Sequence, residues 1–128
     1  MTFIAQRIDH VEVLVKDLEA SARWYRDVFG LEEVGRWEPE PIMIAVGGTK
    51  LALFRATEAG QNANPQGAGR ARWHRVAFLT DEAGFSDAQE HLSSLGIPFR
   101  GPIDHEVSWS VYFQDPDGNP LEITYYYR

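Results

Sequence analysis

The chain has 128 residues, no cysteine and a formal net charge of −7 at neutral pH. Without cysteine there are no disulfides or thiolate metal sites, and the acidic balance argues against non-specific nucleic-acid binding, which needs a basic surface. No stretch is long and apolar enough to cross a bilayer, and Arg7 and Asp9 interrupt the only apolar patch near the N-terminus, so neither a membrane span nor a signal peptide is expected. The expectation is a cytoplasmic protein with a proper core, one domain over residues 1–128.

The first run, IDHVEVLV (Ile8 to Val15), alternates and is rich in β-branched residues, which predicts a strand. Ile8, His10, Glu12 and Leu14 share one face; Val11, Val13 and Val15 share the other, which is expected to meet the following helix. Asp17 suits the N-cap of that helix, because its carboxylate can accept orphan backbone N–H groups. Leu18, Ala22, Tyr25 and Phe29 then recur at helical spacing, and Gly30 suits the stop. Strands are predicted near Glu33 to Trp37, Ile42 to Val46 and Lys50 to Phe54, with Gly47-Gly48 as a tight turn. Thr57 to Gly69 (TEAGQNANPQGAG) has the composition of a loop or linker. The order then repeats. A strand is predicted from Arg72 to Leu79, and a helix from about Ala83 to Leu95 with a buried stripe of Phe85, Ala88, Leu92 and Leu95. Strands follow near Pro98 to Pro102, Val107 to Gln114 and Leu121 to Tyr126, with DPDG (Asp115 to Gly118) as the turn before the last.

The chain therefore reads as two β-α-β-β-β modules, about 1–56 and 70–128, joined by the loop 57–69. Neither module is expected to bury its sheet alone. The predicted fold class is α+β: paired βαβββ modules forming a curved mixed sheet around a cleft, with helices outside.

Aligning the modules brings out the chemistry. His10 and His74 each open a short apolar run; Asp17 and Asp81 each follow seven residues later; Gly30 and Gly96 each end a helix. GGTKLAL (Gly47 to Leu53) matches DGNPLEI (Asp117 to Ile123), which sets Ala52 opposite Glu122. Of these four equivalent positions, His10, His74 and Glu122 can bind a metal. Two neutral imidazoles and one carboxylate form a facial triad with open positions, which suits Fe(II) and accommodates Mn, Ni, Co or Zn. If a two-fold axis relates the modules, the three side chains converge in one cleft. A lone His at a strand start is more often hydrogen-bonded than metal-bound; the repeat-equivalent pair with a Glu is what favours the metal.

These residues resemble the vicinal oxygen chelate superfamily, which holds glyoxalase I, extradiol ring-cleaving dioxygenases, fosfomycin-resistance transferases and bleomycin-binding proteins. The resemblance covers essentially the whole chain. Its most specific pieces are DHVEVLVKDLEASARWYRDVFGL, WHRVAFLTD and SVYFQDPDGNPLEI. It implies paired βαβββ modules around a metal cleft, with His10, His74 and Glu122 as ligands. It also implies a homodimer in which the first module of one chain faces the second module of the other, giving composite sites; the loop from Thr57 to Gly69 equally permits folding back within one chain, and the exchanged dimer is the favoured arrangement.

The departures narrow the reading. Glyoxalase I has a fourth ligand, a Glu, where this chain has Ala52. Fosfomycin transferases surround a phosphonate with basic residues, whereas the stretch before the last strand here is acidic (Asp104, Glu106). Bleomycin-binding members lack the triad. Extradiol dioxygenases use a His, His, Glu set on Fe(II) and match best, although most are longer, with two such two-module domains.

Among supporting residues, Ser110, Tyr112 and Gln114 share a strand face. Tyr112 is a candidate catalytic residue, hydrogen-bonding a substrate oxygen or donating a proton, or else a member of an aromatic cluster. His105 is the second catalytic candidate, for proton movement; a surface loop His is the plainer alternative. Glu12 is expected at the cleft mouth, solvated, and His91 on the polar face of the second helix. Trp37, Trp73 and Trp109 are core filler or pocket wall. The function expected is a metalloenzyme acting on a small oxygen-chelating substrate, an extradiol-type dioxygenase of a catechol-like compound. The alternatives are a metal-dependent lyase, isomerase or transferase, and a small-molecule or drug-binding protein without turnover.

Overall fold

Local signals in the first module are obeyed closely. In a computed structural model that describes residues 2–56 and 73–128, β1 (His10–Val15) leads into α1 (Leu18–Phe29), followed by β2 (Glu32–Arg36), β3 (Ile42–Val46) and β4 (Thr49–Arg55). The expected loop Thr57 to Gly69 and the expected strand start at Arg72 lie outside the described residues. Asp17 caps α1 by accepting the Ala20 N–H at 3.0 Å. Gly30 closes the helix at φ 78°, a left-handed conformation that costs glycine nothing. The sheet order is β1-β4-β3-β2, with β1 parallel to β4 and the other neighbours antiparallel. Val13 and Val15 are buried, as the alternation requires, together with Leu18, Tyr25, Ile44, Leu51 and Leu53. Each such side chain contributes about 1.5–3 kcal/mol by leaving water.

The second module repeats this connectivity: β5 (Val76–Leu79), α2 (Glu82–Ser94), β6 (Arg100–Asp104), β7 (Ser108–Gln114) and β8 (Pro120–Tyr126). Its sheet order is β5-β8-β7-β6, with β5 parallel to β8. Asp81 caps α2 through the Gly84 N–H at 2.8 Å. The helix ends in a Schellman arrangement: Gly96 N–H reaches the Ser93 carbonyl at 3.0 Å and Ile97 N–H reaches the Leu92 carbonyl at 2.9 Å. Phe85 and Leu92 are buried against this unit's sheet side with Val111, Phe113, Leu121 and Ile123. The α+β class of two repeated four-stranded mixed sheets with one helix each is as expected.

Two expectations are corrected. Leu95 does not belong to the buried stripe of α2: it is the C-cap residue and 46% exposed. The helical period continues past the last turn in sequence, but the chain has already turned away. The strand expected from Arg72 begins only at Val76 among the described residues, so His74 stands two residues ahead of β5 and does not project from it. The compact units divide at Arg70/Ala71. No helix among the described residues is long and apolar enough to cross a membrane.

Candidate functional site

In the first unit, His10 opens β1 on the sheet face opposite the helix. It lines a concavity of about 410 Å³ with Trp37, Met43, Ala52 and Phe54. Ala52 pairs with Glu12 on β1 and with Met43 on β3, so its place on the cleft face follows from register. His10 is held by two carboxylates: Nδ1 lies 2.9 Å from Asp9 and Nε2 lies 3.2 Å from Glu12. The Asp9 hydrogen bond first, and that of Glu12 second, raise the His10 pKa above the ordinary imidazole value. Asp9 in turn is pulled below the usual carboxylate range by His10 and then by Lys50, whose ammonium is 3.1 Å away. Glu12 is exposed, as expected, and still touches His10.

In the second unit a concavity of about 560 Å³ is lined by His74, Arg75, Arg100, His105, Tyr112 and Glu122. Glu122 comes from β8, opposite Tyr112 on β7 and Ala77 on β5. The turn that delivers β8 is locked by buried Asp115, which accepts the Asp117 and Asn119 N–H groups at 2.8 and 2.9 Å. Glu122 is aimed by Ser110, whose hydroxyl donates to Oε2 at 2.7 Å. His105, between β6 and β7, places Nε2 2.6 Å from the Tyr112 hydroxyl, so the two catalytic candidates form one pair. Their separation of seven positions in sequence hides a cross-strand contact. Of the tryptophans, Trp37 lines a concavity, Trp73 is exposed and Trp109 packs beside Tyr127.

Arg75 and Arg100 were not singled out by the sequence. Arg100 is in register with Tyr112, and its guanidinium carbon lies 4.7 Å from the ring centroid; that of Arg75 lies at 4.4 Å. Arg75 Nη2 donates to His74 Nε2 at 2.9 Å, and Arg75 Nε is enclosed with no hydrogen-bond partner among the described residues. A buried donor left unsatisfied costs about 1–3 kcal/mol. The available signal was strand parity. Ala77 pairs with Glu122 as Glu12 pairs with Ala52, so counting back two residues makes Arg75, not His74, the register equivalent of His10. The helix caps count the other way, since Asp17 and Asp81 stand at equal distances from His10 and His74. The second module is one residue shorter between ladder and cap.

His10, His74 and Glu122 carry the donor types that a divalent metal takes. The donor chemistry fits: two imidazoles and a carboxylate, with His10 oriented through Nδ1 by Asp9 and Glu122 oriented by Ser110, the kind of support that ligating groups require. His74 fits only after a change, because a ring that accepts at Nε2 carries its proton on Nδ1, and Arg75 must let go before Nε2 can ligate. Among the described residues no group of three or more His, Asp or Glu side chains is gathered to hold a metal.

A repeated βαβββ module with a concave, titratable sheet face defines a class of small-molecule-binding proteins. The chain belongs to the Glyoxalase/Bleomycin resistance protein/Dioxygenase superfamily, whose family model matches residues 7–123. It is 41% identical over 75 residues to biphenyl-2,3-diol 1,2-dioxygenase 2 of Rhodococcus globerulus, which spans 58% of this chain and 38% of that protein. It is 27% identical over 118 residues to glutathione transferase FosA of Serratia marcescens, covering 92% of this chain and 79% of the relative. Among solved structures, a lactoylglutathione lyase from Agrobacterium tumefaciens matches with a TM-score of 0.75 and 28% identity over 94% of both chains. The family is metal-dependent and includes enzymes. The chain spans well under half of the first dioxygenase's length.

Proposed function

We propose that this chain is an enzyme acting on a small oxygen-chelating substrate, with extradiol-type dioxygenation of a catechol-like compound as its reaction. The observation that carries the reading is the second unit's concavity, where Glu122, fixed by Ser110, faces the same space as the Tyr112–His105 pair. His10, His74 and Glu122 would hold one divalent metal, Fe(II) for this reaction. Both modules are needed, from one chain or from two copies in a homodimer with composite sites. When bound, the ion supplies Lewis acidity toward two adjacent substrate oxygens and a redox centre for dioxygen. The chain's own contribution is proton handling and orientation. Tyr112 offers its hydroxyl to a substrate oxygen, and His105 at 2.6 Å gives the phenolic proton an onward acceptor. Within the first unit's own concavity, Trp37, Met43 and Phe54 offer an apolar surface that suits an aromatic ring.

A second reading, a non-oxidative transfer to an anionic substrate, is favoured by one observation. Arg75 and Arg100 supply the basic lining that the acidic Asp104 and Glu106 stretch had argued against. The deciding experiment is oxygen uptake by Fe(II)-loaded protein with a panel of catechols. Uptake with a coloured ring-cleavage product, lost in His74→Ala and Glu122→Gln, supports dioxygenation. No uptake with any diol at verified iron loading, while a non-oxidative substrate turns over, replaces it by the second reading.

A further inference from the structure

We infer that the second unit's concavity contains a carboxylate-binding subsite built from Arg75 and Arg100 on either side of the Tyr112–Glu122 strand pair's cleft face. The catechol-like substrate would then carry a carboxylate remote from its two chelating oxygens; that substrate statement rests on the proposed dioxygenase reading, whereas the subsite stands on the residues alone. Both guanidinium groups line this concavity and lie over the Tyr112 ring, at 4.4 and 4.7 Å from its centroid. The ring face attracts cations, so it can hold two guanidinium groups that otherwise repel each other. Among the described residues neither is paired with a carboxylate, although the chain has 19 acidic against 12 basic residues. Arg36 shows the contrast: it is bonded to Glu19 at 2.6 Å and Glu33 at 2.7 Å.

Arg75 is also incompletely satisfied. One Nη donates to His74, and among the described residues Nε has no partner. An arginine fork meets a carboxylate through two parallel hydrogen bonds, a geometry a lysine cannot reproduce. Arg100 is positioned by a strand irregularity. The ladder between β6 and β7 shifts register between Arg100 and Ile103, and Gly101 sits there at φ 110°, where a Cβ would stand 2.8 Å from the Ser110 carbonyl oxygen. Only glycine allows β6 to approach β7 so closely at this point. Charge then selects the ligand class. In the metal-free protein Arg75, Arg100 and Glu122 sum to one positive charge, which a monoanionic carboxylate balances and a dianionic phosphate or phosphonate exceeds.

The test measures binding of benzoate, benzamide and inorganic phosphate to the full chain by calorimetry or NMR titration, with and without added metal. Benzoate lacks the diol, so its binding does not depend on the dioxygenase reading; oxygen uptake with 3,4-dihydroxybenzoate against catechol tests the two readings together. Benzoate is expected to bind about tenfold or more tighter than benzamide. Arg75→Met and Arg100→Met should each remove most of that advantage, and Arg75→Lys should restore only part of it. Arg100 is exposed, so its variant decides the matter if Arg75→Met fails to fold. Equal binding of benzoate and benzamide, or an Arg100→Met protein that keeps the full preference, overturns the proposal. Phosphate binding tighter than benzoate in the metal-free protein overturns the choice of a monoanion. If benzoate binds as expected while no diol drives oxygen uptake, the subsite stands and the dioxygenase reading falls.

Discussion

Ser110→Ala is the substitution that best separates a positioned Glu122 from one that merely occupies a strand. Ser110 is 1% exposed. Its hydroxyl lies 2.7 Å from Glu122 Oε2 and 3.0 Å from Thr124 Oγ1. Thr124 gives its own proton to the Trp109 carbonyl at 3.0 Å. The single Ser110 proton therefore goes to the shorter contact and the charged acceptor. A hydrogen bond to a charged group contributes about 1.5–3 kcal/mol. Glu122 is half-buried, so water can replace part of that, and the void left by one oxygen is small. Ser110→Ala should lower the unfolding free energy by about 1–2 kcal/mol in urea denaturation, with an unchanged slope. It should also weaken divalent-metal binding by about 10–100-fold in calorimetric titration, the usual consequence of losing a group that orients a ligand. Thr124→Val is the control, because it breaks the bond to Trp109 and leaves the Ser110–Glu122 contact in place. Metal affinity untouched in Ser110→Ala but lost in Glu122→Gln would make Ser110 a core filler. Equal losses in Ser110→Ala and Thr124→Val would point to general loosening and refute the orienting role.

Two further outcomes are expected. NMR titration of metal-free protein should show His10 titrating above the ordinary imidazole value, and Asp9→Asn should lower it more than Glu12→Gln, in the order of their hydrogen bonds. With a raised folded-state value, this pairing stabilises the protein fully below the ordinary imidazole pKa while Asp9 stays ionised, and fades as pH rises through the raised value. A destabilisation by Asp9→Asn that persists unchanged at alkaline pH would contradict it. Asp81→Ala removes the cap on the Gly84 N–H and should cost about 1 kcal/mol in chemical denaturation; a change within experimental error would show that α2 is held by Phe85 and Leu92 alone.

Local chemistry made most of the element order legible in the sequence. Asp17 with Gly30, and Asp81 with Gly96, act over three or four residues, so helix ends are written where they occur. Alternation put Val13 and Val15 inside and set Ala52 and Glu122 on the cleft face, because a strand's side-chain period is fixed at two. Helical periodicity overreached at Leu95 only because the period alone does not contain the turn. What the tertiary structure decided is register. His10 and His74 are equivalent when counted from the helix caps, but His10 and Arg75 are equivalent when counted along the parallel ladders β1–β4 and β5–β8. A shift of one residue exchanges the faces of a strand, but both residues lie ahead of β5, and the concavity that Glu122 lines receives the imidazole of His74 and the guanidinium of Arg75 together. Likewise the meeting of Arg75, Arg100, His105 and Tyr112 depends on pairings among β5, β6, β7 and β8. Such pairings join residues far apart in the chain, and no local preference encodes them.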